Sequence, residues 1–172
     1  MIEKKTELKE ILKLAPACRC ESCSHGCKMG SGLLADGDKK AIAKFLNVAE
    51  KELAESYLEE VTLLNRKMLR PKILREGKPY GRCMFYDDEK GCTVHPVKPL
   101  QCKVSMGCGA HGEELMAWFM LNHILDIDDP ESIRQYSVYL KSCGKLIKGG
   151  KLSEIVEDKA TLRKISNYTI LR

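Results

Sequence analysis

Long apolar runs are missing from this chain. The longest, Leu115 to Leu121, covers seven residues, far short of the roughly 20 that cross a bilayer as a helix. Export signals are missing as well. The N-terminus reads Met-Ile-Glu-Lys-Lys, charged from its third residue, which leads us to expect the reducing cytoplasm. Prolines number only six, and there is no low-complexity tract. Apart from the cysteine groups there is no internal repeat. There is no phosphate-binding glycine loop, no Gly-x-Ser-x-Gly and no His-Glu-x-x-His. Nothing resembles a methyl-donor fold. Catalysis by this chain alone therefore has no support in its motifs. A strong charge bias is also absent. The net charge of +5 suits solubility and speaks against a committed nucleic-acid binder, which concentrates basic residues on one face.

Cysteine is what the chain has in excess: nine in 172 residues. Cys18, Cys20, Cys23 and Cys27 form one group, and Cys83, Cys92, Cys102 and Cys108 a second. Cys143 stands alone. Thiols so gathered point to disulfides, zinc or iron–sulfur chemistry. A disulfide framework belongs to small secreted domains, and an odd count leaves one thiol over, so a metal or metal–sulfur centre is the better reading. An apolar fraction of 44% excludes disorder over most of the length, and the size suits one domain with its own core.

Periodicity predicts a mainly helical chain. An amphipathic helix is expected over 2–14, ended by Pro16, followed by an irregular ligand loop over 18–34. Asp36 or Asp38 can cap a helix over 39–47. Leu53, Tyr57, Val61, Leu64 and Met68 recur at helical spacing, predicting one long helix over 50–69. Gly77, Pro79 and Gly81 break the pattern. Arg82–Tyr86 and Cys92–His95 then read as the two arms of a hairpin, with Cys83 and Cys92 facing one another near its base. Pro96 and Pro99 make the segment carrying Cys102 and Cys108 extended. Helices are expected over 112–126, apolar nearly all round and hence buried, and over 131–141 after Asp129-Pro130. A last, more basic helix follows Gly149-Gly150, its basic side read as a solvated face.

Thiolate is a soft ligand suited to zinc and to iron–sulfur clusters, and Cys20-x2-Cys23 lets one segment bite a metal twice. Gly26, Gly30 and Gly32 supply backbone freedom around it. The second group has no Cys-x2-Cys knuckle, which shifts weight from an ordinary structural zinc towards an iron–sulfur cluster or an open metal site. His25 and His95 lie inside the cysteine segments and are candidate imidazole ligands, while His111 and His123 read as ordinary surface or core residues. Lys98 and Lys103 flank Cys102. They either offset thiolate charge or simply face solvent.

Cys20-Glu21-Ser22-Cys23-Ser24-His25-Gly26-Cys27 resembles the opening of the YkgJ-like cysteine-cluster family, described as zinc- or iron-chelating domains, which reads C-x2-C-x2-C-C. The resemblance is strongest in Gly81-Arg82-Cys83-Met84-Phe85-Tyr86-Asp87 and in Gly91-Cys92-Thr93-Val94-His95-Pro96-Val97-Lys98-Pro99-Leu100-Gln101-Cys102-Lys103. Those stretches are similar to G-x-C-x-F-L-D and G-C-x-I-Y-x-x-R-P-x-x-C-R. Cys143-Gly144 is similar to a late C-P-G segment. Gly26 stands where the family has the first of an adjacent cysteine pair, Cys18 is an extra thiol, His95 replaces a tyrosine, and Lys98 and Lys103 replace arginines. A related branch, the flagellin lysine methylases, is similar in its cysteine motif and implies an iron–sulfur cluster.

The expectation is a mainly α, irregular, metal-organised single domain with a small β-hairpin. A cysteine core over 18–110 carries a helical C-terminal part over 111–172 packing on it. The cofactor expected is one [4Fe–4S] cluster serving electron transfer, metal handling or modification of a partner protein. The alternatives are a zinc-stabilised interaction module and, more weakly, a metal-dependent modifying enzyme. The expected partner is another protein, with neither nucleic acid nor membrane. Cys20, Cys23, Cys83, Cys92 and Cys102 rank first as ligands, ahead of Cys18, Cys27, Cys108 and Cys143, and the two groups are expected to converge on one centre.

Overall fold

The first helix, α1 (Leu8–Leu14), begins later than the sequence pattern suggests. Residues before it are held in extended form instead: Glu3 bridges in parallel to Lys148, and Lys4 N–H donates to the Lys148 carbonyl at 2.9 Å. This is a computed structural model that describes residues 1–15, 18, 20–105 and 109–166, the Ser166 side chain excepted. Pro16 and Cys108 lie outside the described residues.

The expected irregular loop over 18–34 contains a helix, α2 (Glu21–Met29), with Glu21 in its first turn and Lys28 in its last. Both charges complement the helix dipole. α2 buries no residue; Cys23 and Cys27 pack on the body, and Lys28 lies over the Tyr86 ring at 5.9 Å. Next comes α3 (Asp38–Leu46), and here Asp38 is not the cap. Gly37, at φ 87°, occupies that position. The Asp38 carboxylate is buried and accepts from the Ala35 N–H at 2.8 Å and the Leu100 N–H at 2.7 Å, joining two segments distant in sequence.

The long helix expected over 50–69 stops early. α4 (Glu50–Tyr57) passes directly into β1 (Leu58–Leu63), which pairs antiparallel with β2 (Arg66–Pro71). Leu64 and Asn65 turn the chain with φ of 45° and 60°, the left-handed pair that a two-residue hairpin needs. On the sheet face Glu59 takes Arg70 at 2.9 Å and Arg75 at 2.7 Å. Two smaller hairpins follow. β3 (Ile73–Leu74) pairs with β4 (Arg82–Cys83), and β5 (Tyr86–Asp87) with β6 (Gly91–Cys92). Cys83 therefore sits opposite Ile73 and Cys92 opposite Tyr86. The two cysteines are not arms of one hairpin. Gly81 is required where it is, because a Cβ there would run into the Leu74 carbonyl.

The segment expected to be extended is helical as well. A 3-10 turn over His95–Val97 leads into α5 (Leu100–Val104), which carries Cys102. α6 (Gly112–Phe119) continues into a π-helical turn over Met120–Ile124, and the run is buried as its composition predicts. α7 (Pro130–Lys141) starts at Asp129, whose side chain accepts from Glu131 N–H. The expected last helix is two short ones, α8 (Leu152–Ile155) and α9 (Lys159–Ser166).

Two apolar clusters organise these elements. The larger gathers Ile11, Val104, Leu115, Trp118, Phe119 and Tyr136, and the smaller Ile42, Leu53, Leu58, Phe85 and Val94. Each such side chain contributes about 1.5–3 kcal/mol when fully buried. Cys18 and Cys23 pack against the first cluster, and Cys27 and Cys92 against the second, which brings α2 over both clusters. The architecture is thus mainly helical, with three two-stranded sheets among the described residues.

Candidate metal centre

Cys20 caps α2, and Cys23 and Cys27 follow at three and four residues, the spacing that stacks side chains on one helix face. α2 packs on β4 and β6, the strands that carry Cys83 and Cys92. The thiols then divide differently from their grouping in the sequence.

Cys18, Cys20 and Cys23 form one set. Their sulfurs all lie within 4.8 Å of one another, with Cys20 Sγ and Cys23 Sγ 3.8 Å apart. That is far beyond the roughly 2.05 Å of a disulfide. The Cys20 N–H donates to Cys18 Sγ at 3.3 Å, so the sulfur that precedes the helix is folded back onto its first turn.

Cys27, Cys83, Cys92 and Cys102 form the other. Every pair among them is electrostatically coupled, and all four line one cavity of about 660 Å³, to whose wall Cys18 and Cys23 also contribute. Burial pushes the Cys83 and Cys102 thiols up to about 12, with the neighbouring cysteines adding to the effect. The Cys27 thiol is raised too, by burial and then by Cys92, while Lys98 pulls it the other way. Lys98 is itself 7% exposed and lines the cavity. Of the two readings open for it, the position matches a cation that offsets thiolate charge. Lys103 does not line the cavity.

Several supporting groups escaped sequence reasoning. Gly32 matters through contact and not through backbone freedom: a Cβ there would stand 2.5 Å from Cys102 Sγ and 3.0 Å from Cys102 N. The Gln101 side chain accepts from the Leu33 N–H at 2.5 Å, clamping this segment to α5. Asp38 holds the first residue of α5 from the other side. No local pattern signals any of these contacts.

The remaining candidates scatter. His95 lines the cavity, and its Nε2 stands 3.3 Å from the Cys18 carbonyl oxygen. His25 is exposed on α2 and outside the cavity lining. His111 contacts Glu114 at 3.2 Å. His123 packs on Trp118 and Phe119, its Nε2 buried without a hydrogen-bond partner, and burial lowers its basicity. Cys143 is exposed at φ 64° and lines a second depression with His111 and Lys145. Members of both sequence groups therefore share the first cavity, while Cys143 lies apart.

A single tetrahedral metal with bonds of roughly 2.3 Å to sulfur needs its sulfurs about 3.8 Å apart. In the Cys18 set the Cys20–Cys23 pair has that spacing, and all three sulfurs lie within 4.8 Å of one another. Among the described residues no other three Cys, His, Asp or Glu ligand atoms lie mutually within 4.8 Å, so the four cavity thiols surround a wider space. Soft donors, a shared cavity and a close cradle at Gly32 all fit a metal or a metal–sulfur group. The site defines a metal-binding cysteine-cluster protein. More narrowly, the chain belongs to the CxxCxxCC family, whose model, described as a "putative zinc- or iron-chelating domain", matches residues 19–143. No curated protein and no solved structure matches the chain. Among the described residues no helix is long and apolar enough to cross a membrane.

Proposed function

We propose that this protein carries an iron–sulfur cluster of the [4Fe–4S] class, held by Cys27, Cys83, Cys92 and Cys102, and that it serves a partner protein in electron transfer or metal handling. The observation that carries the reading is the arrangement of those four thiols. They arrive from α2, β4, β6 and α5 and face one cavity, and no three of their sulfurs lie mutually within 4.8 Å. A cluster held by four thiolates supplies one-electron chemistry when bound, and its potential is tuned by nearby charge and hydrogen bonds. The chain's own part is to position and to shield. Lys98 supplies positive charge beside Cys27. Gly32 lets the backbone pass against Cys102. Phe85 and Val94 give the cavity apolar walls, which limit water around the thiolates.

Anaerobic purification followed by iron, sulfide and zinc analysis tests this. A brown protein with about four iron and four sulfide per chain is expected, and Cys83→Ser or Cys102→Ser should abolish the colour. A colourless protein that takes zinc at these four cysteines and refuses iron and sulfide would sink the reading in favour of a zinc-stabilised interaction module.

A further inference from the structure

Positive charge is unevenly spread along the chain. From Lys141 to Arg172 the sequence carries eight Lys/Arg against three Asp/Glu, which accounts for the whole net charge of +5. Two of those three acids are turned to backbone amides. Glu154 accepts from the Lys151 N–H at 3.0 Å, and Asp158 from the N–H groups of Ala160 and Thr161 at 3.3 and 2.8 Å. Lys145 and Lys148 reach Glu114 at 3.8 Å and Glu3 at 2.8 Å. Lys141, Lys151, Lys159, Arg163 and Lys164 are exposed and form no salt bridge with a described residue.

α9 concentrates this excess. It packs on α7 and α8, with Ile165 buried and Leu162 half-buried, while Lys159, Arg163 and Lys164 stay exposed. Lys159 and Arg163 are four residues apart, where like charges repel across one turn. Lys159 also stands in the first turn, which holds no acid and where the helix dipole disfavours a cation. Local electrostatics therefore work against the helix, the kind of conflict that a functional demand explains. Carboxylates supplied from outside relieve both.

We propose that the outer side of α9, together with Lys151, is the docking face for an acidic segment of the partner protein. Carboxylates of that segment form charge-assisted hydrogen bonds with the ammonium and guanidinium groups. The inference rests on the reading that the protein serves a partner, and names that partner's chemistry. Complementary charge steers a transient encounter, which suits a carrier of electrons or metal. From Lys141 to Ser166 the sequence has no Phe, Tyr or Trp, so it lacks the stacking platform of a single-stranded nucleic-acid site. The apolar side of α9 is spent on the body, so it is not free to enter a bilayer.

The test uses the full chain, loaded anaerobically with iron and sulfide, and a labelled poly-glutamate peptide as probe. Binding at low salt that falls steeply as salt rises is expected. Lys159→Gln, Arg163→Gln and Lys164→Gln together should weaken it ~10-fold or more. The same charge removed by Lys44→Gln, Lys51→Gln and Lys67→Gln, exposed on α3, α4 and β2, should change it less than ~2-fold. Because the α9 cations repel one another, the α9 variant should melt at or above the wild-type temperature. Equal losses in the two variants, no loss in the α9 variant, or a lower melting temperature in it would each overturn the docking face. Duplex DNA or phosphatidylserine vesicles held through the same residues at physiological salt, with poly-glutamate unbound, would assign another occupant and overturn the proposal too. A chain that refuses iron but binds poly-glutamate through α9 sinks the iron–sulfur reading alone. A loaded chain that ignores poly-glutamate sinks the docking face alone.

Discussion

Replacing Gly32 by alanine probes how tightly the four-thiol centre is fitted. Gly32 is not in the left-handed region, so the backbone itself accepts a side chain. What resists is Cys102, since the new Cβ would stand 2.5 Å from its sulfur and 3.0 Å from its amide nitrogen. Non-bonded heavy atoms settle at roughly 3.5–4.0 Å, so the thiol must retreat by about 1 Å. Overpacking of this kind costs about 1–3 kcal/mol. A ligand moved that far should lose metal affinity by ~10–100-fold. Chelator competition gives the affinity, and thermal melting of the metal-free and loaded chains gives the stability. Gly30→Ala is the control, because no atom lies within 4 Å of its added Cβ and its φ of 179° is ordinary extended backbone. In a Cys102→Ala background most of the Gly32→Ala cost should vanish, the signature of coupled neighbours. The reasoning is refuted if Gly32→Ala keeps wild-type affinity and melting temperature, or if it costs as much without the Cys102 sulfur as with it.

Asp38→Ala leaves two amide donors, the half-buried one of Ala35 and the buried one of Leu100, without their acceptor. A loss of about 2–4 kcal/mol in denaturant melts is expected, together with weaker metal binding because α5 loses its anchor. Glu59, held down to about 2 chiefly by its hydrogen bond to Arg75 and further by Arg70, has a folded-state value below its ordinary one of 4.5. Its contribution is therefore fully present above that ordinary value and fades as pH falls towards about 2. Glu59→Gln should cost about 1 kcal/mol at neutral pH, and the gap to wild type should close in acid melts. Tyr136→Phe removes the hydroxyl that donates to the Gly150 carbonyl at 2.8 Å, and a loss of about 1–2 kcal/mol is expected by denaturation. Metal removal should loosen α2, which buries no residue, more than α6 and α7, which carry the larger apolar cluster. Hydrogen exchange of the stripped chain checks this, and equal protection of all three helices would contradict it.

The sequence by itself determined the chemistry and the class. Eight cysteines in two groups, with a ninth apart and no catalytic motif, point to metal binding before any fold is drawn, because only soft donors at such density make sense together. Strong periodicity also survived folding. The apolar run at 115–124 is a buried helical segment, and Asp129-Pro130 does start α7, since both signals are local and chemically specific. The weaker local signals misled. Leu53, Tyr57, Val61, Leu64 and Met68 read as the stripe of one helix, yet the Leu64-Asn65 turn and the pairing of Glu59 with Arg70 and Arg75 make a hairpin of the stretch after Tyr57. Those partners are distant in sequence, so the balance is struck only once the sheet exists. Asp38 looks like a cap and serves as a tie to Leu100 for the same reason. The partition of the thiols was decided by tertiary structure alone. Cys27 shares a segment with Cys18, Cys20 and Cys23. One turn of α2 carries it away from them and, with α2 packed on β4 and β6, places it among Cys83, Cys92 and Cys102. Spacing along the chain cannot express that division, because it arises from the direction of a helix and the strands beneath it.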